Sequence, residues 1–140
     1  MKNKIEIMKQ EEKNLLLKDL CTRLPYGVKF KADNEEYIRE IHYIKDENVY
    51  IREYRDLPYW IDTIKPYLRP MSSMTKEELK EFTNFTSLSM HRFICDATNT
   101  DHWYNTYEEE DWLNAHNFDY RGLIEKGLAI KVTEENNPYE

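Results

Sequence analysis

Apolar positions in the first part of the chain recur at helical spacing. Between Met8 and Leu24, Leu16, Leu17, Leu20, Cys21 and Leu24 follow the i, i+3, i+4 pattern of an amphipathic helix, and Pro25 ends it. The period then shortens. Residues 26–32, 35–45 and 49–55 alternate as strands do and are separated by Ala-Asp-Asn and Asp-Glu-Asn, turn-forming clusters. With Lys45 to Asn48 as a four-residue loop, Ile44 pairs with Val49, while Tyr43, Ile41 and Arg39 pair with Tyr50, Arg52 and Tyr54. One face of the expected sheet then carries Ile38, His42, Ile44, Val49 and Ile51, with Glu40 and Glu53 toward one end. The other carries Tyr37, Arg39, Ile41, Tyr43, Tyr50, Arg52 and Tyr54.

The segment 57–74 holds three prolines, so its Trp60, Ile61, Ile64, Tyr67 and Leu68 are expected in a short strand or helical turn and then a loop packed on the core. Thr75 followed by Glu78 is a capping-box spacing and starts a central helix through Phe82. Residues 87–105 read as a helix and then a loop. Thr106 with Glu109 repeats the capping spacing before Trp112, Leu113 and His116, with Glu108, Glu109, Glu110 and Asp111 in the first turn, where the helix dipole favours negative charge. Asp119 is placed to cap a last helix ending at Gly127, followed by a short apolar strand. The expected fold is α+β: a small three-stranded antiparallel sheet packed by the N-terminal and central helices, with a C-terminal helical hairpin.

Composition narrows the class. Forty per cent of the 140 residues are hydrophobic and 19 are aromatic, while only three are glycine, which excludes a disordered chain. No repeat or linker suggests a cut, so a single domain over 1–140 is expected. The start alternates charge with single apolar residues and no apolar run exceeds three, so a soluble, cytoplasmic protein with no membrane association is expected. Cys21 and Cys95 are too few for a disulfide scaffold and read as small buried hydrophobes of a reducing compartment. Charge is uneven, with 14 basic and 13 acidic side chains in residues 1–70 against 6 and 14 in residues 71–140. An acidic second half disfavours phosphate backbones and suits a basic partner surface.

Three stretches resemble a group of uncharacterised small proteins encoded by phages and mobile elements of gut bacteria: KDLCTRLPYGVKF, IKPYLRPMSSMTKEE and DWLNAHNFDYRGLIEKGLAI. Together they cover roughly a third of the chain. The resemblance implies origin and attaches no activity, cofactor or catalytic residue. Residues 80–111 fall outside the shared pattern, as a variable insert in which a role particular to this chain could reside.

Few motifs carry chemistry. His91, Cys95 and His102, beside Asp96 and Asp101, include an H-x3-C pair that one helix face could offer to zinc, but no C-x2-C or H-E-x2-H accompanies it. A Cys95 thiolate with His91 as base lacks a third, orienting group. No phosphate-cradling or nucleophile-elbow motif is present, so neither an enzyme nor a bound cofactor is expected. Tyr37, Arg39, Tyr43, Tyr50, Arg52 and Tyr54, with Lys29 and Lys31 on the adjoining strand, are the most informative set. Tyrosine and arginine on a sheet suit a protein interface or stacked single-stranded nucleic acid. A second candidate surface joins Glu108, Glu109, Glu110 and Asp111 to Glu77, Glu78 and Glu81, an acidic face that could imitate phosphate toward a nucleic-acid-binding protein. The expected role is a non-enzymatic module binding a host or phage protein, in a concrete version an inhibitor of a host defence nuclease. The alternative is a small accessory protein for single-stranded nucleic acid.

Overall fold

A computed structural model describes residues 8–83 and 107–139, and shows an α+β fold. The helix expected within 87–105, the Thr106 cap and the His91, Cys95, His102 set lie outside the described residues. The chain divides into two compact units, Met1–Tyr67 with Pro138–Glu140, and Leu68–Asn137. Their boundary falls close to the point where the charge balance turns acidic. No helix among the described residues is long and apolar enough to cross a membrane.

In the first unit, helix α1 runs over Gln10–Arg23, and a 3-10 turn at Leu24–Tyr26 follows, ended by Gly27 in the left-handed region. Leu16 and Leu20 are fully buried, as the periodicity requires. Cys21 is exposed, contrary to its reading as a buried hydrophobe, because one residue past Leu20 is a rotation of about 100° off the buried stripe. The stripe instead takes in Asp19 and Arg23, both fully buried and one turn apart. Arg23 donates from Nε and Nη2 to the two Asp19 carboxylate oxygens at 2.7 and 3.0 Å.

The strands are β1 (Lys29–Ala32), β2 (Ile38–Glu40), β3 (Tyr43–Lys45), β4 (Asn48–Tyr50), β5 (Tyr59–Trp60) and β6 (Ile64–Pro70). The expected register of the second hairpin holds at Tyr43–Tyr50 and Ile44–Val49. Its turn is tighter than expected, because Lys45 and Asn48 also pair, leaving Asp46 and Glu47, both at positive φ, as a two-residue connection.

The expected three-stranded sheet is instead divided. Consecutive amides part company: Ile41 N–H donates to Val28 C=O, whereas His42 N–H donates to Tyr50 C=O. Residues 38–40 therefore belong to β1, and 43–45 to the separate sheet β3-β4-β5. Arg39 pairs with Phe30 rather than with Tyr54, and Ile41 does not pair with Arg52. The expected faces change too. Ile38 and His42 are exposed whereas Val49 and Ile51, placed on the same face, are buried, and Ile41, placed with the tyrosines, is buried.

The short strand or helical turn expected in this segment is present as β5 and a 3-10 turn at Ile61–Thr63, but β6 stands where the packed loop was expected. Pro66 lies opposite Phe30, between the Lys31–Lys65 rung and the position where Lys29 would meet Tyr67. In an antiparallel ladder such alternate positions exchange no hydrogen bonds across the pair, so the missing N–H removes no rung. At the 29/67 rung the strands are bridged rather than bonded. The Tyr139 hydroxyl accepts from Lys29 N–H at 3.0 Å and donates to Tyr67 C=O at 2.8 Å, while Lys29 Nζ donates to Pro138 C=O at 3.1 Å. Burial pushes the Tyr139 hydroxyl up to about 12.

In the second unit, helix α2 (Lys76–Thr83) begins on the expected capping box. Thr75 N–H donates to Glu78 Oε1 at 2.9 Å and Glu78 N–H to Thr75 Oγ1 at 3.1 Å. Helix α3 (Tyr107–Ala115) ends at Asn117, in the left-handed conformation, whose C=O accepts from Arg69 N–H at 2.7 Å. Strand β7 (Phe118–Asp119) then runs parallel to the end of β6, and β8 (Ile130–Lys131) pairs with β6 as well. Phe82, Trp112, Leu113, Phe118 and Tyr120 form the core, with Met71, Met74 and Leu79 packed against them.

The C-terminal helical hairpin does not form. Residues 120–127 make a single turn whose ends are nevertheless those read from the sequence. The Asp119 carboxylate accepts from the Leu123 and Ile124 amides at 2.8 and 2.9 Å. At the other end Leu128 N–H reaches Leu123 C=O and Gly127 N–H reaches Ile124 C=O, a Schellman closure with Gly127 at φ +76°. Start and stop signals so close together leave no room for a second helical turn.

Candidate interaction surface

The tyrosines and arginines expected on one sheet face belong to two groups within the first unit. In the first group, the Arg39 guanidinium lies 5.5 Å from the ring centres of both Tyr37 and Tyr54. Its Nε donates to Glu35 Oε1 at 3.3 Å, and Glu35 Oε2 accepts from the Tyr59 hydroxyl at 2.9 Å. Burial, and after it this bond to a carboxylate, raises the Tyr59 hydroxyl above its ordinary range. Tyr37 is 71% exposed and Tyr54 46%. The second group is Tyr43 and Tyr50, stacked at 4.5 Å with their planes 2° apart across the β3–β4 rung that places them opposite each other. The Tyr43 hydroxyl is committed to Arg55 C=O at 3.4 Å. Arg52 is exposed in the bend after β4.

All six large hydrophobic side chains that are exposed among the described residues, Tyr26, Tyr37, Ile38, Tyr54, Leu57 and Trp60, belong to the first unit. Hydrophobic patterning located Tyr37 and Tyr54 but missed Trp60 and Leu57, because three nearby prolines made their segment read as a packed loop. A two-residue strand such as β5 is too short to show alternation.

The second candidate surface is reduced by burial. Glu109 is fully buried in α3 and therefore presents no carboxylate to a partner, although Asp111 remains exposed and Glu110 half-exposed. A first-turn position on a short helix can face either solvent or core, and Glu109 lies three residues before the buried Trp112, on its side of the helix. Glu78 is likewise committed. It receives Arg69 Nη1 and Nη2, each at 2.7 Å, and this pairing lowers its carboxyl to about 2. Glu77 and Glu81 are exposed.

Among the charged pairs that escaped sequence reading are the buried Asp19–Arg23 and the half-buried Arg69–Glu78. The first had a visible signal, opposite charges four residues apart at positions continuing the apolar stripe of α1. The second joins residues nine apart through the turn at Met71–Ser73 and had none. Among the described residues no group of three His, Cys, Asp or Glu side chains could hold a metal ion. No family model, curated protein or solved structure matches this chain.

Proposed function

We propose that the protein is a non-enzymatic binding module that engages a host or phage protein through the aromatic and arginine surface of its first unit. The observation that carries this reading is the exposure of Tyr37 and Tyr54, each with its ring 5.5 Å from the Arg39 guanidinium. Exposed tyrosine rings supply large contact area at low entropic cost, and an arginine beside them adds directional donors, the composition of interface centres. The electrostatics favour protein over nucleic acid. Arg39 already faces the Glu35 carboxylate, and residues 33–40 carry four acidic side chains against one basic. The stacked Tyr43 and Tyr50 each cover a ring face that a base would need. The resemblance to gut phage and mobile-element proteins makes a host target, such as a defence nuclease, the concrete version.

The test compares the tagged protein with its Tyr37→Ser/Tyr54→Ser variant in capture from nuclease-treated host lysate. A stoichiometric protein retained by the wild type and reduced at least tenfold by the double variant supports the reading. Retention of the same protein by both, or recovery of nucleic acid alone when nuclease is omitted, overturns it.

A further inference from the structure

Strand β2 is the outer strand of its sheet in the first unit, and its backbone geometry determines which groups it offers. Arg39 lies opposite Phe30, and Ile41 N–H donates to Val28 C=O. Backbone groups alternate sides along a strand, so those of Arg39 and Ile41 face β1, whereas the N–H and C=O of Ile38 and Glu40 point away from it. Among the described residues those outward groups have no backbone partner. Ile38 is 45% exposed, and the exposed rings of Tyr37 and Tyr54 lie 5.5 Å from the guanidinium of Arg39 on this strand.

We infer that β2 is a docking edge for an extended, basic segment of the partner protein, which adds to the sheet as a further strand. This deepens the function proposed above and rests on it. Main-chain bonds to Ile38 and Glu40 would supply register, and the exposed rings would grip alternate side chains of the incoming strand. Charge selects the occupant. Asp33, Glu36 and Glu40 are exposed around the edge, so lysines and arginines of a visitor find opposite charge. A second copy of this chain is disfavoured by the same residues, since antiparallel pairing centred on Ile38 sets Glu36 against Glu40.

The probes are a set of nine-residue synthetic peptides alternating lysine with valine, threonine or tyrosine, a glutamate-for-lysine set, and a lysine set N-methylated at alternate residues. The readout is amide hydrogen exchange in the full chain. Saturating lysine peptides are expected to slow exchange at Ile38 and Glu40 at least tenfold. The glutamate and N-methylated sets are expected to leave both amides unchanged, and Glu36→Lys/Glu40→Lys should weaken the lysine peptides at least fivefold. Absence of protection with every lysine peptide, or equal binding of the N-methylated set, overturns the inference. If the Tyr37→Ser/Tyr54→Ser variant loses its captured partner while the edge amides stay unprotected, the interface reading stands and strand addition alone fails.

Discussion

Arg39 and Arg69 are built from the same parts and used in opposite ways. Each meets a carboxylate and an aromatic ring within its own unit. Arg69 makes a bidentate pair with Glu78, also donates to Ser73 C=O at 3.0 Å, and lies 4.2 Å above the buried Phe118 ring. Arg39 makes one 3.3 Å bond to Glu35 and lies farther, at 5.5 Å, from two rings that are open to solvent. The difference is how many hydrogen bonds hold the guanidinium. Where helix cap, turn and core ring converge, as around Arg69, the arginine supports the fold; Arg39 is about as buried, but the two rings beside it are themselves exposed.

The largest effect that would break this contrast lies at a third arginine. If the first unit were loosely held throughout, Arg23 would matter no more than Arg39. Its pair with Asp19 is fully buried, so Asp19→Ala leaves a charge in the core and should cost about 3–5 kcal/mol, read as a shift in urea midpoint at constant slope. Next in size is Arg69→Ala, which removes two charge-assisted bonds and should cost about 2–3 kcal/mol. Acid should reproduce much of that loss without mutation. The Glu78 carboxyl is lowered from 4.5 to about 2 when folded, so its stabilisation is complete above the unfolded value and fades as pH falls from 4.5 toward 2. Unfolding free energy measured across that window should fall less steeply in Glu78→Gln than in the wild type.

Sequence patterning located α1, the β3–β4 hairpin with its register and the capped start of α2, because each depends on contacts within a few residues. It did not find the division between β2 and β3, since residues 35–45 alternate without interruption and only the partner strands separate Ile41 from His42. It also grouped the exposed Ile38 with the buried Val49 and Ile51 on one face, because it took 35–45 as a single strand whereas 38–40 and 43–45 belong to different sheets. The Tyr37, Arg39 and Tyr54 cluster was legible as a set of residue types, but the Tyr43–Tyr50 stack was not separable from it. The Tyr139 bridge depends on a side chain 110 positions from Lys29 and left no local trace.

That bridge sharpens the comparison from the first unit's side, where it should have an intermediate effect. Tyr139→Phe keeps the ring but leaves Lys29 N–H and Tyr67 C=O without their shared hydroxyl, a loss of about 1–2 kcal/mol. The variant should also lose a tyrosine that keeps its proton until about 12, seen in an alkaline titration of tyrosinate absorbance. Arg39→Ala should have the smallest effect on folding. One bond from a partly solvated guanidinium to Glu35 contributes within about 0.5 kcal/mol, so the urea midpoint should be nearly unchanged. A loss near that of Arg69→Ala would mean that Tyr37 and Tyr54 are held in place by this arginine as part of the fold. Unchanged stability, joined to a partner captured at least tenfold less well, would instead place the arginine's remaining donors in the interface.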